Sequence, residues 1–274
     1  MKVGVIVIYN KFTNIRDEFK KLKENNFDNC QLICWDNSVF TENNAREVSS
    51  AKEEFNIDIT AIWCGWQQPA VWDFYDGPLT LGLVPETYRF CRCERILEGA
   101  AFGNLLGIKD VITHAGFLPE DPNNKDYIGV ISALKHICIT LKKNNQNFLF
   151  ETGQETPITL LRAIEDIALD NIGINIDPAN LLLYGKANPV DAVYILGSYI
   201  KGVHAKDGEY PTTGRYLGEE KQIGKGKVNF PIFIKALKEV GYTGSLTIEN
   251  EMGNKDHHKE ILEAKTFLEN IIKE

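Results

Sequence analysis

No run of about 18 apolar residues occurs in the 274-residue chain, so no transmembrane helix is expected. The apolar stretch in MKVGVIVIYN is short and no small-residue cleavage site follows it, which favours a first β-strand over a secretion signal. Basic clusters are missing too. The nearest, KDHHKE, mixes both signs, and the net charge is −8, which argues against a nucleic-acid or anionic-membrane partner. The six cysteines, Cys30, Cys34, Cys64, Cys91, Cys93 and Cys138, form no pair of CxxC motifs. Reduced, mostly buried thiols in a cytoplasmic protein are therefore expected, not a zinc ribbon or a disulfide framework. The first strand–helix junction has no glycine-rich dinucleotide fingerprint. No linker, repeat or low-complexity tract divides the chain, so residues 1–274 are expected to form a single domain.

What the sequence does contain is alternation. Short apolar runs at 2–8, 30–35, 57–64, 110–113, 148–151, 173–177, 200–204 and 245–249 read as strands. Amphipathic stretches at 15–24, 42–55, 86–106, 125–143, 157–170, 189–196, 230–240 and 257–272 read as helices between and after them. Thr41, Thr156, Asn188 and Asn229 stand at expected N-caps, and Gly107 and Gly241 at expected C-caps. Eight strand–helix repeats in about 250 residues give the rhythm of an α/β fold of the (β/α)8 TIM-barrel type, with a doubly wound sheet as the rival. The longest irregular segments, 65–85, 115–125 and 206–228, are long enough to be functional loops.

In such a barrel the C-terminal strand ends carry the chemistry. Four late strands end in polar residues: Glu151 in FETGQETP, Asp177 in GINIDPAN, His204 in KGVHAKDG and Glu249 in SLTIENE. Strand alternation sorts each of them away from its bulky neighbours, Phe148 and Phe150, Ile172, Ile174 and Ile176, Val203, and Leu246 and Ile248. The apolar sets then face the helices and the four polar residues face the barrel mouth. Three converging carboxylates repel one another, and one imidazole cannot offset them. One divalent metal ion would, and the mixed oxygen and nitrogen set suits Mn2+ first, with Mg2+, Co2+ or Zn2+ as alternatives. His114, Trp35, Trp66 and Lys206 lie at strand ends or share the inward parity, and Gln154 and Asn180 lie just beyond Glu151 and Asp177. These six are the expected substrate contacts. His257 and His258 read as a solvated helix start.

With the motifs THAG, FETGQETP, NIDPANLL, VHAKDG, GKGKVNF and GSLTIENE, the chain resembles the xylose isomerase-like TIM-barrel superfamily of sugar (phosphate) isomerases and epimerases, which also holds endonuclease IV. The resemblance runs over nearly the whole length. It implies Glu151, Asp177, His204 and Glu249 as the metal ligands and, from ketose 3-epimerase relatives, Glu151 and Glu249 as the residues that move the proton. Two departures stand out. Asn180 replaces a histidine usual in the relatives, and no arginine follows His204 before Arg215.

The expected function is a metal-dependent isomerase or epimerase of a sugar, sugar phosphate or inosose, acting next to a carbonyl through an ene-diolate held by the metal. A dehydratase or lyase on the same scaffold is the alternative. An endonuclease IV-like nuclease ranks lower, since that site is histidine-rich and this chain has five histidines and an acidic balance. A non-catalytic sugar-binding barrel is the remaining reading. The expected partner is a small-molecule sugar, with no nucleic acid and no membrane; a homo-oligomer is left open.

Overall fold

The computed structural model describes residues 1–67, 69–253 and 257–273. Its strands are β1 (Lys2–Ile8), β2 (Asn29–Cys34), β3 (Asp58–Cys64), β4 (Asp110–Thr113), β5 (Asn147–Glu151), β6 (Ile172–Ile176), β7 (Ile200–Ala205), β8 (Asp207–Gly208), β9 (Glu220–Lys221) and β10 (Ser245–Ile248). All but β8 and β9 close into a parallel barrel in the order β1-β10-β7-β6-β5-β4-β3-β2. Closure is visible at Val5, which pairs with Ile248 on one side and Cys30 on the other. The rival open sheet is thereby excluded, and the fold is a TIM barrel.

The helices are α1 (Ile15–Glu24), α2 (Glu42–Phe55), α3 (Gly77–Thr80), α4 (Glu86–Leu105), α5 (Lys125–Lys142), α6 (Pro157–Ile167), α7 (Pro178–Leu183), α8 (Pro189–Leu196), α9 (Phe230–Glu239) and α10 (His257–Lys273). Side chains of Thr41, Thr156, Asn188 and Asn229 accept from the first-turn N–H groups of α2, α6, α8 and α9, which fixes where those helices begin. After α4, Gly107 takes φ 73°, and the Ile108 N–H returns 2.8 Å to the Gly103 carbonyl, closing the helix as a left-handed cap does. The amphipathic pattern carried α6 to residue 170. It ends earlier because Ala168 turns left-handed at φ 54°. No helix among the described residues is long and apolar enough to cross a membrane.

Two apolar layers follow from strand alternation. Phe148, Phe150, Ile174, Ile176, Val203, Leu246 and Ile248 belong to the large core that also contains helix residues such as Phe19, Ile96, Leu134 and Phe233. Inside the barrel lies a smaller cluster of Ile33, Ala61, Trp63, Trp66, Leu81, Ile112 and Leu149. Five of the cysteines are buried as free thiols, while Cys91 is exposed on α4.

Short elements interrupt the eightfold alternation, among them α3, α7 and the antiparallel pair β8–β9. The last is made by one side chain. Asp207 Oδ1 accepts from Gly208 N (2.8 Å) and Val228 N (3.0 Å), and Oδ2 from Gly224 N and Gly226 N (2.9 Å each). A Cβ at Gly226 would run into this carboxylate, so the GKGKV segment needs its glycine for close approach. Asp207 thus gathers the long 206–228 loop into a clip, and the pairing of Gly208 with Glu220 brings Glu220 back over the barrel mouth.

Candidate active site

Glu151, Asp177, His204 and Glu249 meet at the C-terminal end of the barrel, all four buried, with one ligand atom of each lying within 4.8 Å of the others. Glu151 is the last residue of β5, His204 lies near the end of β7, and Glu249 directly follows β10. Asp177 directly follows β6 and is also the N-cap of α7: its Oδ1 accepts the Asn180 N–H at 2.9 Å. Thr152 locks this corner, donating to the Asp177 carbonyl at 2.9 Å and accepting the Asp177 N–H at 2.8 Å.

His204 sits at the centre. Its Nε2 donates to Gln31 Oε1 at 2.8 Å, which orients the ring. Nδ1 then faces Glu151 Oε1 at 3.0 Å and Glu249 Oε2 at 3.1 Å. Burial alone would lower the pKa of the imidazole, but these two carboxylates outweigh it and raise it well above the ordinary range. Glu151 is satisfied on both oxygens. Oε1 faces His204 and, at 3.4 Å, Asn180 Nδ2; Oε2 accepts from Trp63 Nε1 and lies 3.7 Å from His114 Nε2. Burial opposes its ionisation, yet His114 and His204 hold its pKa below the usual carboxylate value. For Glu249, burial is again overcome, here by Lys206 and His204, and its pKa is low.

Asp177 is the exception. Burial drives its pKa well above the carboxylate range, Lys206 only partly opposes this, and Oδ2 has no hydrogen-bond partner among the described residues. A buried carboxylate oxygen without a partner, beside two ionised carboxylates and an imidazole, is what the donor set of a divalent cation looks like. The quartet therefore fits one metal ion. Glu151, a charge at the tip of an apolar strand, is also served by Trp63, Asn180 and the two histidines.

Above the quartet opens a cavity of about 350 Å3, near the lower end of the range for small-ligand sites, about 300–1,000 Å3. One wall is aromatic. Trp35 lies 4.9 Å from Trp63 and 6.4 Å from Trp72, between ring centroids, and Trp72 lies 5.2 Å from His114. Leu183 and Tyr184 also line the cavity, Leu183 beside the clip, where its carbonyl accepts the Gly218 N–H at 2.9 Å. The other side is charged, lined by Lys206, Glu220, Glu249 and Glu251. Lys206, 3 % exposed, reaches Glu249 Oε2 at 3.4 Å and also bonds Glu251. Glu220 Oε1 accepts the Glu251 N–H at 2.9 Å, and burial, opposed by Lys206, pushes its pKa up to about 7.

Of the expected substrate contacts, His114, Asn180, Lys206 and Trp35 line the cavity. Trp66 does not. It is 3 % exposed and sits behind Trp35, at 5.5 Å, with the Arg92 guanidinium 4.9 Å from its ring. Arg92, buried with no carboxylate partner among the described residues, donates to the carbonyls of Gly82 (2.6 Å) and Pro69 (2.8 Å) and so pins the 65–85 loop that carries Trp72. Burial lowers its pKa to about 10. Gln154 is also buried, outside the cavity lining.

Sequence reasoning did not find Gln31, Trp63, Trp72, Tyr184, Glu220 or Glu251. Gln31 had a signal: a lone amide in the apolar run Cys30–Cys34, sharing the parity of Ile33 and Trp35. Glu220 and Glu251 had none, because only the clip and a loop hydrogen bond bring them over Lys206.

Comparison with known proteins gives the same picture. The uncharacterized protein MJ1311 of Methanocaldococcus jannaschii is 27% identical over 282 residues, covering 98% of this chain and 90% of that protein. The crystal structure of a xylose isomerase domain protein from Planctomyces limnophilus superposes with a TM-score of 0.90 at 28% identity, covering 99% of this chain and 96% of that one. A D-tagatose 3-epimerase-like protein shares the fold with a TM-score of 0.76 at 24% identity, covering 100% and 97%. The family described as "Xylose isomerase-like TIM barrel" matches residues 19–271, and the chain belongs to that family.

Proposed function

We propose that the protein is a divalent-metal-dependent isomerase or epimerase of carbohydrates that moves a proton on the carbon next to a carbonyl. The observation that carries this reading is the buried quartet of Glu151, Asp177, His204 and Glu249 beneath an aromatic-walled cavity of about 350 Å3. In this reading the four residues hold one divalent cation, Mn2+ first. When bound, the cation polarises a carbonyl and its neighbouring hydroxyl and so acidifies the carbon between them.

The rest falls to the side chains. Glu151 and Glu249 approach His204 Nδ1 from two different strands, so they can flank a substrate and act as base and acid. Both are ionised at neutral pH because their neighbours favour the charge. A carboxylate stabilised in this way is a weak base. Its basicity rises when substrate loosens the donor that holds it, Trp63 Nε1–H for Glu151 and the Lys206 ammonium for Glu249. His114, Asn180 and Lys206 are placed to orient hydroxyls. Trp35 and Trp72 are placed to pack the C–H face of a sugar ring. Gln154 and Trp66 act from behind the wall. The fold shared with a D-tagatose 3-epimerase-like protein supports the reaction type.

The test is solvent deuterium uptake by a panel of ketoses, inososes and their phosphates with Mn2+ present. Uptake into recovered substrate or its epimer is expected. Loss of water in place of exchange would assign the site to dehydration, and no uptake from any carbonyl sugar overturns the reading. Glu151→Gln and Glu249→Gln should each lower the exchange rate by about a hundredfold or more, the usual effect of losing a positioned acid or base.

A further inference from the structure

Lys206 is the only lysine or arginine lining the cavity among the described residues. A phosphorylated or carboxylated substrate would need a cation free to pair with its oxygens, most often an arginine fork. Lys206 is not free. Its Nζ contacts Glu249 and Glu251, and Glu220 adds a further acidic group on the same side of the cavity. This arrangement is built, not incidental. The clip held by Asp207 returns Glu220 to the mouth, and Glu220 Oε1 then fixes the backbone of Glu251 at 2.9 Å. Two separate loops thus deliver acids to one buried ammonium. Glu220, Glu249 and Glu251 crowd the one ammonium that lines the cavity, so an added anion would have to displace a carboxylate from Lys206 before it could pair there. Trp35 and Trp72, which also line the cavity, offer apolar area and no charge.

We propose that Glu220 and Glu251 are specificity-determining residues that occupy Lys206 and restrict the site to uncharged polyhydroxy ketones or aldehydes, excluding their phosphates and acids. The proposal names the substrate class of the site read above and rests on that reading. Glu220 and Glu251 act through Lys206, so they are positioning residues with no part in the proton transfer.

The experiment measures binding, not turnover. The full chain, supplied with Mg2+, is titrated by calorimetry and by tryptophan fluorescence with D-fructose, D-tagatose and their 6-phosphates; Trp35, Trp63 and Trp72 report occupancy of the cavity. For the ketose bound best, the free sugar should bind at least tenfold more tightly than its phosphate, and raising the salt from 0.05 to 0.5 M should narrow that gap in the wild type. Glu220→Gln with Glu251→Gln should gain phosphate affinity by about tenfold with little change for the free sugar. Phosphate binding as tightly as free sugar in the wild type overturns the proposal, and so does a gap that neither salt nor the double variant moves. Absence of binding by any of the four overturns it together with the carbohydrate reading. The two failures separate otherwise. Discrimination without deuterium uptake leaves the specificity intact and removes the proton-transfer function, whereas uptake from a preferred phosphate does the reverse.

Discussion

Glu155, four positions beyond the end of β5, is 2 % exposed, and neither of its carboxyl oxygens has a hydrogen-bond partner among the described residues. Burial pushes its pKa up to about 8, from an ordinary 4.5. The folded protein therefore keeps a proton there that the unfolded chain releases above about pH 4.5. Unfolding releases that proton throughout the window from about 4.5 to 8, so this residue's contribution to stability falls as pH rises and levels off above about 8. The slope approaches about 1.4 kcal/mol per pH unit in mid-window. Glu155→Gln is uncharged at every pH, and urea midpoints measured from pH 5 to 8.5 should lose this descending component. Equal slopes in the two proteins would mean that Glu155 is ionised in the native state. Glu155 also marks the limit of reading single residues. Alternation along a strand was enough to place Glu151, Asp177, His204 and Glu249 on one side, since that side is decided locally. Whether a loop acid such as Glu155 or Glu220 is buried depends on what packs over it, which no local pattern records.

At the scale of elements, what was legible divides by length. Strands and helices long enough to show a period were placed nearly to the residue, as β1 at Lys2–Ile8 and α8 at Pro189–Leu196 show. α7 and the β8–β9 clip were not, because a single side chain nucleates each, Asp177 for one and Asp207 for the other. The clip makes a testable unit. Asp207→Ala removes the acceptor of four backbone N–H groups, and each one left without a partner costs about 1–3 kcal/mol where water cannot replace it. Amide exchange at Gly224, Gly226 and Val228 should accelerate markedly, while β1 and β5 amides keep their protection. Unchanged exchange at those three amides would show that the loop holds its shape without Asp207. Arg92 does the same for the 65–85 loop from the other side. Arg92→Lys keeps a charge but loses the fork that spans the carbonyls of Gly82 and Pro69. Sugar affinity should drop severalfold with Trp72 displaced, and the melting temperature should fall as well, since Gly82 or Pro69 loses its buried donor; unaltered affinity would separate the loop from the cavity.

At the scale of the whole molecule, the barrel concentrates negative charge where its strands end, and a net charge of −8 adds to it. Purified protein should accordingly neither incise abasic DNA nor bind duplex at physiological salt, and site-specific incision would move the nuclease reading ahead of the isomerase one.

The same concentration of charge couples metal binding to stability. Three carboxylates and an imidazole meet within 4.8 Å; burial, with the neighbouring carboxylates, raises the pKa of Asp177, and Glu151 and Glu249 raise that of His204, so both hold protons that a cation would displace. A ligand that binds only the folded state stabilises it by mass action, by about 2.7 kcal/mol at a hundredfold excess over its dissociation constant. For a chain of this size that corresponds to about 5–10 °C in melting temperature. Melting curves with Mn2+ and with a chelator should therefore separate for the wild type. Protons compete for Asp177 and His204, so metal binding releases them, and the separation should widen as pH rises from 5 to 8. Glu249→Gln removes one donor and the charge that pairs with His204 and Lys206. Its curve in chelator should therefore fall below that of the wild type, and Mn2+ should no longer raise it. Coincident wild-type curves, with no metal found by elemental analysis, would leave the unpartnered Asp177 Oδ2 to water or a proton and remove the basis for a metal enzyme.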